Sequence, residues 1–318
     1  NLINESFKLT FFEKVFSIRY VFDFIFLKEL CFLLTSNKIS KTNLFYIFSS
    51  YARAKKVKKF METNFINYLK INSNLYTYWC LDEAIGLSLI KIKYPQLNIF
   101  SRVHGHDLYL ERTKSNYLPF RKFIFSQLDS IFCISNHGLN YLKENFDFKK
   151  KILKVSYLGI KKNENISNVL MEKFSMKIVT CSYIYSNKRI HLIADAISKL
   201  NFKVKWDHYG GFLSFISESY KTSILNIIKE LNDFGHNITF HGTTSNNIFL
   251  EKLGNNNYDL FINFSASEGV PVTFMEAFSF GIPVLASNVG GVSEIVVNNK
   301  NGFLMSGESS SIDISNKI

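Results

Sequence analysis

YDLFINFSASEGVPVTFMEAFSFGIPVLASNVGGVSEIVV, residues 258–297, decides the fold. The apolar run Tyr258 to Phe264 has the length of a strand and ends in the turn SASEGVP. A helix then begins near Val272, and Gly281 terminates it as a C-cap. A second apolar run follows at Pro283 to Ala286. Strand, turn, helix and strand in this order make a βαβ unit, which belongs to a parallel sheet covered on both faces. Glu268 lies in the turn and Glu276 about one turn inside the helix. Both can face the crevice at the carboxyl ends of the strands, where open α/β sheets bind ligands. The free N–H groups at the helix start, on Val272 and Thr273, make a site for phosphate oxygens, and a helix carboxylate can accept hydrogen bonds from ribose hydroxyls.

Working outward, the same alternation extends over most of the chain. Strands are expected at Lys177 to Ser182, Val204 to Tyr209, Ile238 to His241, Asp259 to Phe264, Pro283 to Ala286 and Gly302 to Met305. An earlier series comprises Leu75 to Trp79, Leu97 to Val103, Ser130 to Ile134 and Ile152 to Ser156. Residues 5 to about 70 read as helices, with apolar side chains at three- and four-residue spacing and neither Gly nor Pro. The expected organisation is an N-terminal Rossmann-like domain over 1–160, a polar linker over 161–174 and a C-terminal domain over 175–318. The first series opens without a leading strand and Gly-rich turn, and the last strand is followed by a polar tail read as holding no helix. Both features suggest a fragment, lacking an N-terminal βα portion and a C-terminal helix.

Composition sets outer bounds. The 318 residues are 47% hydrophobic and 20% charged, which suits two ordinary globular domains. Abundant Phe, Tyr, Asn, Lys and Ile follow from an AT-rich genome. Cys31, Cys80, Cys133 and Cys181 are scattered, with no spacing for a metal or a disulfide framework, and a cytoplasmic location fits best. The stretch Phe11 to Leu34 carries too many charges to span a membrane. A net charge of +12 asks for an acidic partner: nucleic acid, lipid headgroups or a diphosphate. The basic run YARAKKVKKF, Tyr51 to Phe60, suits a peripheral contact with an anionic membrane surface as well as a solvated helix face. Lys and Arg are otherwise dispersed rather than gathered in recognisable modules, which argues against a nucleic-acid-binding protein.

The run E-G-V-P-V-T-F-M-E resembles the E-x7-E signature of GT-B glycosyltransferases, and E-A-F-S-F-G-I-P-V-L-A-S-N-V-G-G-V-S-E-I-V extends the likeness to glycosyltransferase family 4. The resemblance covers roughly residues 75–306. It implies a GT-B fold, two Rossmann-like doubly wound domains facing a central cleft, with the N-terminal one incomplete. Glu268 would then lie near the donor sugar and Glu276 would bind the ribose, with Gly269, Val270, Pro271, Val272 and Thr273 lining the donor site between them. In CSYIYSNKRIHLI, Lys188 and Arg189 sit at a loop-to-helix junction where cations can pair with a diphosphate. The family usually has an Arg five residues before this Lys, and here Tyr183 stands there. SRVHGHDLYLER is similar to the family's R-x-H-G-x-D-x-Y segment. It places His104 beside a hydroxyl of the transferred sugar, with Asp107 as a turn or cap residue.

The implied activity is sugar transfer with retention of configuration. The donor is a nucleoside-diphosphate sugar, UDP- or GDP-linked, the acceptor a glycan or a lipid-linked chain in bacterial surface-polysaccharide synthesis, and no metal or other cofactor is obligatory. No DxD-type metal motif is evident. His104, Lys188 and Glu268 are the expected catalytic groups, and the enzyme would work on the cytoplasmic face of the inner membrane. Nucleotide-sugar epimerases and phosphorylases share the fold. A phosphorylase needs a lysine placed for pyridoxal phosphate, for which no motif is present, and an epimerase lacks this donor signature.

Overall fold

The computed structural model describes residues 9–10, 17–113, 115–146, 152–161 and 176–318. Two compact units divide the chain, Asn1–Tyr157 and Leu158–Ile318. The expected linker, 161–174, lies outside the described residues except for Lys161.

The N-terminal unit opens with helices, as the three- and four-residue spacing predicts: α1 (Phe24–Thr35), α2 (Lys41–Asn64) and α3 (Ile66–Leu69). Asp23 and Ser40 cap the first two through their side chains. A βαβ series follows: β1 (Asn74–Thr77), α4 (Asp82–Lys93), β2 (Asn98–Val103), α5 (Arg121–Gln127), β3 (Ser130–Cys133), α6 (Asn136–Asn145) and β4 (Ile152–Val155). The strands pair in sequence order, all parallel. The basic run Tyr51 to Phe60 lies within α2, whose Tyr51, Ala54 and Val57 are buried. Arg53 pairs with Asp82, and Lys55 with Asp23 at 2.7 Å, so part of that positive charge is met inside the unit. Among the described residues no helix is long and apolar enough to cross a membrane.

The C-terminal unit runs β5 (Met176–Cys181), α7 (Ile190–Ser198), β6 (Val204–Tyr209), α8 (Glu218–Asp233), β7 (Asn237–Phe240), α9 (Asn246–Asn255), β8 (Leu260–Asn263), α10 (Val272–Ser279), β9 (Val284–Ser287), β10 (Gly302–Met305) and α11 (Ser311–Lys317). All its strands are parallel, in the order β10-β9-β8-β5-β6-β7. Renumbered from β5, this is the 3-2-1-4-5-6 order of a dinucleotide-binding sheet. Its direction of winding reverses between β5 and β8, and that switch point is where such sheets take their ligand. Every residue of β8 and β9 is buried, as strands covered on both faces must be. α10 ends as its sequence predicts, with Gly281 at φ +74 just beyond the last turn.

The polar tail departs from its reading. It forms the helix α11, on which Ile314 is fully buried, packed against α7. Ser310 and Asp313 close a capping box at its start, which nucleates a helix that its few apolar residues do not announce.

Beneath the sheet lies a polar relay. The Trp206 indole donates to the Thr180 hydroxyl at 2.9 Å, and that hydroxyl shares a hydrogen bond of 2.7 Å with His208 Nδ1. Burial pushes the His208 imidazole down to about 3 from 6.5, so it is neutral in the fold. The unfolded chain therefore binds one more proton between those values, and stability present above pH 6.5 is lost as pH falls. His208→Gln should remove one proton's worth of this dependence, a slope of about 1.4 kcal/mol per pH unit. Urea melts of both proteins between pH 7 and 4 would measure it, and parallel curves would refute it.

Candidate active site

The loops after β5 and β8 meet at the switch point. Asn187 O accepts from Ala266 N at 2.8 Å, and Asn187 Nδ2 donates to Ser267 O at 3.2 Å, so the two loops are fixed to one another. Across this junction Lys188 Nζ reaches Glu268 Oε1 at 2.5 Å, both side chains largely buried. Asn263 Nδ2 holds the same carboxylate oxygen at 3.3 Å.

Arg189 stands beside the pair in another role. It adopts a left-handed conformation at the N-cap of α7. Its guanidinium donates to Phe264 O at 2.6 Å, Gly307 O at 2.8 Å and Ser265 O at 3.2 Å. Two of those carbonyls lie in the loop after β8 and the third follows β10, so the guanidinium ties the two loops together. Gly269, Val270 and Pro271 complete the loop after β8. Pro271, at the N-cap of α10, offers no side-chain cap, so Val272 and Thr273 begin the helix with N–H groups available to an anion.

Glu276 is 4% exposed. Its Oε1 accepts from Asn246 Nδ2 at 2.7 Å, while Oε2 is buried with no partner. The carboxylate lines a cavity of about 240 Å³ at the carboxyl ends of the strands, together with Cys181, Tyr183, Tyr209, Thr243 and Thr273. Tyr183, at the position where an Arg was expected, is thus a wall of the cavity. The Cys181 thiol is pushed up to about 12 by burial and by the Glu276 charge, so it stays protonated and is no nucleophile. Behind Tyr209, its hydroxyl meets that of Tyr258, which donates to Asp207, and His241 closes the set at 2.8 Å from Asp207. The His241 ring stacks on Tyr209 at 4.4 Å, fixing that wall.

The Gly-Gly pair of the sequence motif sets the height of the Glu268 loop. Gly290 has φ +57, and a Cβ there would lie 1.9 Å from Glu268 O. Gly291 N donates to Gly269 O at 3.0 Å. Gly290→Ala should therefore displace the loop and cost about 1–3 kcal/mol, read as a lower melting temperature. An unchanged melting curve would show that the loop yields freely.

In the N-terminal unit, His104 follows β2 and is buried. Asp107, fully buried, accepts from His104 N at 2.6 Å and from Cys80 N at 2.8 Å, a staple between the loops after β1 and β2. Burial pushes its carboxyl up, but His104, the Arg121 charge and the two backbone donors outweigh it and hold the group below its ordinary value.

A doubly wound sheet with a carboxylate-lined cavity at the carboxyl ends of its strands defines a Rossmann-like domain with a ligand crevice. Residues 161–318 match the family of glycosyl transferases group 1. The C-terminal unit belongs to that family, and the chain is a glycosyltransferase of the GT-B fold. It is 24% identical over 268 residues to the uncharacterized glycosyltransferase MJ1178 of Methanocaldococcus jannaschii, covering 78% of this chain and 68% of that one. It is 29% identical over 208 residues to the O-antigen biosynthesis glycosyltransferase WbnH of Escherichia coli, covering 65% of this chain and 54% of that one, so the match spans about half of that relative. Among solved structures, Anabaena HepE in complex with UDP-glucose superposes with a TM-score of 0.64 at 18% identity, covering 84% of this chain and 71% of that one. This likeness concerns the fold.

Proposed function

We propose that the protein transfers a sugar, with retention of configuration, from a UDP- or GDP-linked donor to a glycan or lipid-linked acceptor in surface-polysaccharide synthesis. The observation that carries the reading is the buried, half-partnered Glu276 carboxylate at the switch point, in the same unit as the Lys188–Glu268 pair. A ribose supplies the hydroxyl donors that Glu276 Oε2 lacks, and the start of α10 with Lys188 suits the diphosphate. The relatives support the chemistry: WbnH is an O-antigen biosynthesis glycosyltransferase, and HepE was solved with UDP-glucose.

In the proposed step the bond from the sugar's anomeric carbon to the β-phosphate oxygen breaks. A bond to the acceptor oxygen forms on the same face, and the acceptor's proton passes to the departing phosphate. Lys188 and the α10 N–H groups stabilise the charge gathering on that phosphate. Glu268 orients the sugar, and His104 is assigned to one of its hydroxyls. Neither Glu268 nor any thiol is asked to form a covalent intermediate, and the residues named require no metal. Nucleotide release from a panel of UDP-, GDP- and ADP-sugars tests the reading. One donor should be hydrolysed slowly, and a folded protein that neither binds nor turns over any of them would overturn it.

A further inference from the structure

The loops after β5, β6 and β7 continue the C-terminal sheet beyond its strands. Ser182 N donates to Tyr209 O and Ile184 N to Gly211 O, both at 2.9 Å, and Gly210 N donates to Gly242 O at 2.8 Å. The chains approach closely because Gly210 has no side chain: at φ +135, a Cβ there would lie 1.8 Å from Ser182 O. Tyr183 is thereby pinned on both sides of its own backbone. Its side chain is 54% exposed and lines the same cavity as Thr273 and Glu276. Among the described residues its hydroxyl has no hydrogen-bond partner. A tyrosine mounted on fixed backbone, with a free phenol at the edge of a cavity, gives up little conformational entropy when it bonds a ligand.

The charges around the cavity decide which part of a ligand the phenol suits. Glu276 is the one charged side chain among the described residues that line it. Nearby, Lys188 is paired with Glu268, and the Arg189 guanidinium faces three backbone carbonyls. An anion at the first turn of α10, where Thr273 lines the cavity, therefore meets few unengaged cations and needs neutral donors, and a phenol hydroxyl is one. We propose that Tyr183 donates its hydroxyl to the diphosphate of the nucleotide, and that this uncharged contact leaves the released product loosely held. A free nucleoside diphosphate carries roughly half to one negative charge more than the sugar-bearing donor, because its terminal phosphate can ionise again. A cation at position 183 would reward that extra charge with tighter binding, and a hydroxyl does not. Tyr183 thus favours departure of the product. The assignment rests on the transfer reading above.

Calorimetry of UDP, GDP, uridine and guanosine with the full chain, Tyr183→Phe and Tyr183→Arg tests the proposal, with a thermal melt of each protein. For whichever diphosphate the parent binds, Tyr183→Phe should bind it about tenfold more weakly, the loss of one hydrogen bond to a charged group, and should bind the matching nucleoside unchanged. Tyr183→Arg should bind the diphosphate at least about tenfold more tightly than the parent at about 0.1 M ionic strength, and should lose most of that gain near 1 M, where the screening length falls to about 3 Å. A phenylalanine variant with parental affinity for the diphosphate overturns the contact and leaves the transfer reading in place. Equal losses for diphosphate and nucleoside put the hydroxyl on the base or ribose and overturn it as well. An arginine variant no tighter than the parent refutes the loosely held product. A folded parent that binds neither UDP nor GDP sinks the transfer reading and this proposal with it.

Discussion

Glu276→Ala should weaken nucleotide binding by roughly 10²- to 10³-fold, the loss of one or two charge-assisted hydrogen bonds of about 1.5–3 kcal/mol each. The carboxylate is buried, with Asn246 on Oε1 and nothing on Oε2. A half-satisfied buried charge is a poor contributor to folding, since its desolvation is only partly offset. The same substitution should therefore leave the melting temperature of the unliganded protein unchanged or raise it, the usual relation between a ligand site and stability. That opposition separates a ligand-binding role from a structural one. Calorimetry with UDP and GDP, beside thermal melts of both proteins, would measure it. A lower melting temperature with unchanged affinity would make Glu276 a structural residue and remove the support on which the donor assignment stands.

The fold was legible because its strands are short apolar runs cut by turn residues. All ten strands among the described residues fall within two residues of where hydrophobic patterning places them. The α10 helix was legible at both ends for the same reason, Pro271 before it and Gly281 after it. α11 was not, since it is short and mostly polar and announces itself only through the Ser310–Asp313 box. In the site, Glu268, Glu276 and Lys188 stand out through the resemblance of their segments to the glycosyltransferase motifs. Their partners do not. Asn246 reaches Glu276 from thirty positions away, and Asp207 within β6, His241 just after β7 and Tyr258 ahead of β8 converge from three parts of the chain. Such contacts depend on strand order, which local sequence does not encode. Arg189 shows the converse, because its charge suggested a phosphate ligand, yet its donors face three backbone carbonyls.

Lys188→Ala should lower turnover by about 10²- to 10³-fold, the usual loss when one preorganised group facing developing charge is removed. Ground-state nucleotide affinity should fall much less, because the helix start and Glu276 still hold the donor, so the effect belongs in kcat rather than KM. Stability should fall as well. Glu268, with a side chain only 12% exposed, would keep Asn263 as its other partner and lose the cation that neutralises it. The double variant Lys188→Ala with Glu268→Ala discriminates the two consequences. Removing both charges should restore much of the melting temperature without restoring turnover, whereas a lysine acting only through its pairing with Glu268 would give a double variant no slower than Glu268→Ala alone. Lys188→Arg sharpens the comparison, since its planar fork keeps a charge against Glu268 but not the compact ammonium that fits beneath a phosphate. It should therefore preserve the melt while recovering only part of the rate. If the arginine variant matches the parent in turnover, positive charge alone suffices at this position, and the close Lys188–Glu268 geometry has no part in the transfer step.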